Sequence, residues 1–183
     1  MNTLILGMPN VGKTSLYNII TYNNNNIIHD TVGTTRDWHV SSLKFDNNIN
    51  VYDTPGIINN ESLENNNVKN LFKKIDIFVY VIDYKQQNYL LDKELINSLR
   101  KFNKEIVLII NKDDNLNQDK KINELGIKNI FYISCAHKKG IDNFLEFFKK
   151  FKLRDNQFKK IDFSLGLFGK TNVGKSTLLN KLV

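Results

Sequence analysis

The sequence contains a single cysteine, Cys135, and only two prolines among 183 residues. One cysteine cannot form a disulfide within the chain, which excludes the disulfide-rich class of secreted domains. No apolar run reaches the roughly 20 residues needed to span a bilayer. The N-terminus begins directly with a strand-like run and lacks the charged region and cleavage site of a secretory signal. We therefore expect a soluble, cytoplasmic chain with no membrane partner.

The composition is that of a globular chain with a moderate basic excess. Hydrophobic residues make up 41% of the sequence, and the formal net charge is +7. This content suffices for one well-buried core. Basic residues cluster at Lys149, Lys150, Lys152, Arg154, Lys159 and Lys160. Such a cluster would attract RNA phosphates, but the solvated face of an ordinary amphipathic helix has the same composition.

The spacing GxxxxGKT/S occurs twice, from Gly7 to Thr14 and from Gly169 to Ser176. Its glycines let the backbone wrap around phosphate oxygens, and N–H groups at a helix N-terminus supply positive potential. In the first copy an apolar strand-like run precedes the loop and a helical pattern follows it. We predict that Lys13 meets the β- and γ-phosphates and that the Thr14 hydroxyl binds Mg²⁺. The expected nucleotide contacts of this loop are Gly7, Asn10, Val11, Gly12, Lys13, Thr14 and Ser15.

A second motif indicates which base is bound. Asn111, Lys112 and Asp114 form the pattern NKxD directly after the apolar run from Ile106 to Ile110. A carboxylate only accepts hydrogen bonds, so Asp114 can pair with the N1–H and exocyclic amine of guanine, whereas adenine presents no such donor pair. The pattern therefore favours guanine, although a polar turn that ends a strand would look similar in isolation.

A third short segment is predicted to complete the base pocket. Ser134, Cys135 and Ala136 follow the strand-like run from Ile130 to Ile133. These small residues would let a backbone N–H approach guanine O6.

The segment between these motifs carries the expected γ-phosphate contacts. Asp53 begins the sequence DTPG after a strand-like run, and Thr35 lies in the polar stretch GTTRD. An acid at a strand end can hold Mg²⁺ through water, while the Gly56 amide senses the γ-phosphate. We assign Lys13, Thr35 and Gly56 to catalysis, and Thr14, Thr35 and Asp53 to the Mg²⁺ ion.

Hydrophobic patterning predicts an α/β fold. Strand-like runs alternate with helical patterns, which indicates a doubly wound sheet with helices on both faces. One helix is expected over 88–102, with Leu91, Leu95 and Leu99 on its apolar stripe, and another over 139–151. The six expected strands lie near 2–7, 40–45, 49–53, 76–82, 105–110 and 129–134.

Taken in order, GMPNVGKT, GTTRD, DTPG, NKDD and SCA resemble the five motifs of translation-factor-type GTPases. The residues in these motifs are similar to those of the bacterial GTPase group that contains Era, MnmE and EngA, which is also called Der. A second phosphate loop after the first domain resembles EngA/Der, which carries two G domains before a KH-like domain. The chain departs from that family in reading DTPG where Der proteins often read DTGG, and in having Cys135 where alanine is usual.

The resemblance implies a P-loop G domain with a mostly parallel, six-stranded sheet. It implies a first G domain over 1–151, a linker over 152–160 and the start of a truncated second G domain over 161–183, so the chain would be an N-terminal fragment. The implied function is that of a monomeric GTPase that binds GTP or GDP with Mg²⁺. It would act in assembly of the large ribosomal subunit, with the ribosome or its RNA as partner.

The resemblance also bears on how hydrolysis would work. Ile57 stands where small GTPases place a water-orienting glutamine, and an aliphatic side chain cannot hydrogen-bond to water. Asn10 matches the asparagine that helps coordinate K⁺ in the MnmE and EngA group, and that ion could replace an arginine finger. Asn10 could instead only shape the turn.

Three other interpretations stay open. The chain could be a related GTPase of the Era or MnmE type, or a module that holds GTP or GDP with negligible hydrolysis. It could also be the G domain of a ferrous-iron transporter, which begins with a similar phosphate loop, although GTTRD and the second loop argue against this.

Overall fold

A computed structural model of the chain describes residues 1–22, 27–29, 38–54, 66–86, 88–114 and 120–158. Its strands are β1 (Asn2–Leu6), β2 (Ile27–His29), β3 (Trp38–Leu43), β4 (Asp46–Asp53), β5 (Ile77–Asp83), β6 (Glu105–Asn111) and β7 (Asn129–Tyr132). Its helices are α1 (Lys13–Ile20), α2 (Asn66–Lys74), α3 (Leu90–Arg100) and α4 (Ile141–Phe158), with a 3₁₀ helix over Lys120–Leu125. The chain divides into two compact units, Met1–Lys149 and Lys150–Val183. Among the described residues, no helix is both long enough and apolar enough to cross a bilayer.

The strands form one mixed sheet in the order β2-β3-β4-β1-β5-β6-β7. Strands β4, β1, β5, β6 and β7 run parallel to one another, whereas β3 runs antiparallel to both β2 and β4. The doubly wound, mostly parallel α/β fold is confirmed, and all six predicted strands are present. In the part of the chain that the structure describes, the sheet has seven strands rather than six, because β2 forms within a polar stretch through its pairing with β3.

Helices cover both faces of the sheet. Every side chain from Ile77 to Ile82 in β5 is buried, and alternate side chains point to opposite faces. On one face, residues of β5 such as Phe78 pack with Phe72 of α2 and with Leu95 of α3. On the other face, the Phe131 ring of β7 lies 5.6 Å from the Phe144 ring of α4. The central parallel strands are therefore shielded from water on both sides.

The structure corrects the position of one helical side chain and the end of one helix. In α3, Leu95 and Leu99 are buried as predicted, but Leu91 is 52% exposed. The interior position in that first turn is taken by Asp92, which hydrogen-bonds inside the protein. Helix α4 continues to Phe158, seven residues beyond its expected end at 151, while the linker expected over 152–160 stays a prediction. That segment contains no proline or glycine to end the helix.

The parallel strands direct their carboxyl ends to one edge of the sheet. Gly7 directly follows β1, and Asp53, Asp83 and Asn111 are the last residues of β4, β5 and β6. Ligands of open α/β sheets bind at this edge. The candidate site is therefore formed by residues that lie far apart in the sequence.

Candidate nucleotide-binding site

The loop between β1 and α1 requires glycine at two positions. Gly7 has φ 143° and Gly12 has φ 97°, values that side-chain-bearing residues rarely adopt. A Cβ atom on Gly7 would lie 2.3 Å from the Val81 carbonyl oxygen, and one on Gly12 would lie 2.1 Å from Asn111 Nδ2. Backbone conformation and close packing therefore both require glycine at these two positions.

Lys13 is the first residue of α1, and its side chain folds back against the loop. The residue is only 6% exposed, and its Nζ donates a hydrogen bond to the Met8 carbonyl at 2.7 Å. Burial lowers the pKa of Lys13, and the nearby Asp53 carboxylate partly opposes this shift. The loop therefore has a buried positive charge beside a helix N-terminus, which suits phosphate oxygens.

Thr14 and Asp53 form a pair of oxygen ligands beside that lysine. The Thr14 hydroxyl donates to Asp53 Oδ2 at 2.8 Å. Burial raises the pKa of Asp53, opposed mainly by the hydrogen bond from Thr14 and the charge of Lys13. Asp53 Oδ1 is buried and has no hydrogen-bond partner within the described part of the chain. A hydroxyl, a carboxylate and an unsatisfied buried oxygen fit a hard cation such as Mg²⁺.

Asn111 connects the phosphate loop to the base loop. Its Nδ2 donates to the Val11 carbonyl at 2.9 Å, and its Oδ1 accepts the Cys135 N–H at 3.1 Å. The residue is 2% exposed. As part of NKxD, Asn111 is an expected nucleotide contact, and that role stays a prediction. In the described residues its amide holds two motifs together.

Lys112 makes a second connection between the same loops. Its Nζ donates to the Asn10 carbonyl at 2.8 Å and to Asp83 Oδ2 at 2.6 Å. Asn10 and Lys112 both have φ 64°, a left-handed conformation that is uncommon outside glycine. The side chain of Asn10 is exposed, as are Thr14 and Ser15.

Asp114 lies at the mouth of the expected base pocket. The Ser134 hydroxyl donates to Asp114 Oδ1 at 2.8 Å, and His137 Nε2 lies 3.7 Å from the same oxygen. The Asp114 side chain is 51% exposed. Both of these described contacts involve Oδ1, so the carboxylate keeps acceptor capacity at its accessible side.

The three small residues of the base loop have different roles. The Ser134 N–H bonds to the Lys139 carbonyl, and the Cys135 N–H bonds to Asn111. Two of the three amides expected near guanine O6 are therefore used within the protein, and Ala136, which is exposed, supplies the candidate amide. Burial raises the pKa of the Cys135 thiol to about 11, so this cysteine acts as a small apolar residue at neutral pH.

Several predicted contacts lie outside the described residues. They include Thr35 and Gly56, which were assigned to Mg²⁺ and the γ-phosphate, and Ile57 beside them. The second phosphate loop, from Gly169 to Ser176, is also outside. Their roles stay predictions.

The structure adds two residues that were not among the predicted contacts. The Thr54 hydroxyl donates to the Ile5 carbonyl at 2.9 Å and ties the end of β4 to β1. The Asp83 carboxylate accepts a hydrogen bond from the Lys112 ammonium. Asp83 ends an apolar strand, as Asp53 does. This position is the feature of the sequence that could have identified Asp83 as a site residue.

Sequence comparisons find relatives of this chain among known proteins. The family model described as 50S ribosome-binding GTPase matches residues 2–112. The chain is 34% identical to GTPase Der of Borrelia garinii over 98% of this chain and 43% of that protein. It is 33% identical to GTPase Der of Campylobacter jejuni over 98% of this chain and 46% of that protein. The chain thus spans a little under half the length of these relatives.

Solved structures share the fold. A GDP-bound mutant of NFeoB from S. thermophilus superposes with a TM-score of 0.64 at 22% identity, covering 80% of this chain and 60% of the other. NFeoB bound to GDP.AlF4- and K+ superposes with a TM-score of 0.58 at 23% identity, with the same coverage. At such low identity, this likeness concerns the fold alone.

Proposed function

Since the chain belongs to the 50S ribosome-binding GTPase family, we propose that it binds GTP and GDP and hydrolyses GTP as a molecular switch. The observation that carries this proposal is the convergence on one sheet edge of the described motif residues, which belong to the first phosphate loop, Asp53, NKxD and the base loop. Asn111 alone bonds to the phosphate loop through Val11 and to the base loop through Cys135. The phosphate half and the base half of a nucleotide site are thereby held at a set separation.

Guanine would be selected by the base loop. Asp114 is the carboxylate acceptor for the N1–H and exocyclic amine, and its orientation is supported by the hydroxyl of Ser134. The Ala136 amide would approach O6. An adenine base would offer this carboxylate no matching pair of donors.

Phosphate binding would depend on Lys13 and on Mg²⁺. The cation would be held by Thr14 and Asp53, whose oxygens lie 2.8 Å apart, together with phosphate oxygens and water. Bound Mg²⁺ would neutralise charge on the β- and γ-phosphates. Thr35 and Gly56 are proposed to report the γ-phosphate to the rest of the protein.

We further propose that K⁺ assists hydrolysis at Asn10. An ion there would stabilise charge that develops between the phosphates, as an arginine finger does in other GTPases. Support comes from the position of Asn10 within the loop, where its side chain is exposed. The Asn10 carbonyl is engaged by Lys112, which orients the residue.

Single-turnover cleavage of GTP by the full chain with Mg²⁺ tests both the proposed GTP hydrolysis and the proposed role of K⁺. We expect GDP and phosphate to form, several-fold faster in K⁺ than in Na⁺, and this advantage to be lost in Asn10→Ala. Asn172→Ala, at the matched position of the second loop, should keep it. Equal rates in the two salts would contradict the K⁺ role. GTP binding without cleavage would favour the alternative of a nucleotide-holding module.

The cellular role is proposed from the same family. We propose that the chain is part of a cytoplasmic, monomeric ribosome-assembly factor that acts on the large subunit, and that residues 161–183 begin a second G domain after the linker. GTP-dependent cosedimentation with 50S rather than 30S subunits checks the partner. Equal binding to both subunits would contradict it.

A further inference from the structure

Asp83, the last residue of β5, belongs to none of the motifs, but it binds the lysine that connects the two nucleotide loops. Its Oδ2 accepts a hydrogen bond from Lys112 Nζ at 2.6 Å, and the same ammonium donates to the Asn10 carbonyl at 2.8 Å. The Asp83 side chain is 22% exposed and that of Lys112 is 42% exposed. The Lys112 ammonium is therefore shared between the phosphate loop and the end of β5.

The carboxylate is itself held in place. Its second oxygen, Oδ1, accepts the Lys85 N–H at 2.9 Å, so both oxygens are used. The adjacent Tyr84 N–H donates to the Asn111 carbonyl at 2.8 Å. The turn after β5 is thus fastened to the end of β6, and it presents the Asp83 carboxylate to Lys112 in one orientation.

The residues joined by this ammonium have unusual backbone conformations. Asn10 and Lys112 both have φ 64°, in a region that residues with side chains occupy sparsely. Such conformations persist only where the surroundings hold them. A lysine side chain that lost its carboxylate would regain rotamer freedom and hydration, and one support of both residues would disappear.

We propose that Asp83 is a positioning residue for guanine-nucleotide binding, which holds the Lys112 ammonium between the phosphate loop and the base loop. The inference rests on the proposed function of this site and adds to it a residue that sets the geometry of the two loops. Asp83 acts through Lys112 rather than on the nucleotide itself.

Titration of the full chain with the fluorescent nucleotide mant-GDP measures the effect. Loss of a charge-assisted hydrogen bond in Asp83→Ala should weaken binding by about tenfold. Asp83→Asn keeps an acceptor oxygen and the side-chain shape but loses the charge. Since a neutral hydrogen bond is about half as strong, this variant should weaken binding by about threefold. If Asp83→Ala does not fold, the threefold loss of affinity expected for Asp83→Asn tests the proposal instead.

Asp76→Ala is a matched control at the other end of the same strand. Asp76 immediately precedes β5, and its Oδ2 accepts the Asn2 N–H at 2.8 Å. Removal of the Asp76 carboxylate also eliminates a hydrogen bond at a strand end, but this strand end lies at the opposite edge of the sheet from the nucleotide site. We expect Asp76→Ala to lower the thermal midpoint while leaving mant-GDP affinity within about twofold of the wild type.

A double-mutant cycle separates positioning from a general loss of stability. In a Lys112→Ala background, Asp83→Ala should change mant-GDP affinity by less than about twofold, because its partner is already gone. The inference would be overturned if the fold-changes in mant-GDP affinity of the two single variants multiplied in the double variant. It would also be overturned if the wild type bound mant-GDP and Asp83→Ala bound it equally well. Failure of the wild type to bind mant-GDP would overturn the proposed function, and this inference with it.

Discussion

Single residues at the sheet edge are used largely to hold other parts of the protein. Asn111 is buried and bonds to Val11 in one motif and Cys135 in another. Gly12 leaves the space for it, because a Cβ there would lie 2.1 Å from Asn111 Nδ2. Any residue larger than glycine would strike this amide. The glycine of one motif and the asparagine of another are therefore fitted to each other.

Asp114 is the residue whose substitution should change base selection. In Asp114→Asn an acceptor is partly replaced by a donor, which suits the N1 and C2 edge of xanthine better than that of guanine. The asparagine oxygen can still accept the Ser134 hydroxyl, so folding should be kept. We expect the variant to prefer XDP over GDP in competition titrations with mant-labelled nucleotides. An unchanged preference for GDP would show that Asp114 does not read the base.

Among the elements, α3 is tied to the central strand by a buried polar contact. The Tyr80 hydroxyl of β5 donates to Asp92 Oδ1 at 3.0 Å, and Gln86 Nε2 donates to Asp92 Oδ2 at 2.6 Å. Asp92 is fully buried, and burial raises its pKa despite these two hydrogen bonds. The first turn of α3 thus holds a carboxyl group that binds its proton more tightly in the folded protein than in the unfolded chain.

The pH dependence of unfolding should reveal this group. Since the folded pKa is raised, the contribution of Asp92 to stability is fully present below the unfolded pKa of about 3.9 and is lost as pH rises through the folded value. We expect the wild type to lose more unfolding free energy than Asp92→Asn between pH 4 and pH 7, because the amide does not ionise. Urea denaturation across this range measures the difference. Parallel curves for the two proteins would contradict the prediction.

The whole chain contains two copies of the phosphate-loop motif, but only the first is followed by base-selecting motifs. Nucleotide binding uses both kinds of motif, and in the described residues Asn111 connects them. The described base-selecting residues, Asp114 and Ser134 to Ala136, lie in the same compact unit as the first copy, Gly7 to Thr14. We therefore expect one guanine nucleotide to bind at that loop.

A pair of matched lysine variants tests this stoichiometry. Lys13→Ala should abolish binding of mant-GTP, because it removes the buried cation of the first loop. Lys175→Ala, at the same position of the second loop, should leave affinity and stoichiometry unchanged. Isothermal titration calorimetry measures both quantities. Two nucleotides per chain, or a loss of one on substituting Lys175, would refute the single-site prediction.

Much of the fold was predictable because its signals are local. Buried parallel strands read as apolar runs, so all six expected strands were located, and glycine spacing identified the first phosphate loop. Strand β2 was not predictable, since Ile27–His29 forms a strand through pairing with β3. The exposure of Leu91 was also missed, because apolar spacing does not show that a hydrogen-bonded Asp92 occupies the interior of that turn.

By itself, the sequence determined which chemical groups are available and in what order: a phosphate loop, an acid after a strand and a carboxylate motif suited to guanine. Only the tertiary structure decided how these groups are used. It turned Asn111 inward, employed the Cys135 amide within the protein and brought Asp83 to Lys112. The physical reason is that spacing along the chain encodes local conformation, whereas contacts between ends of different strands depend on sheet order and register.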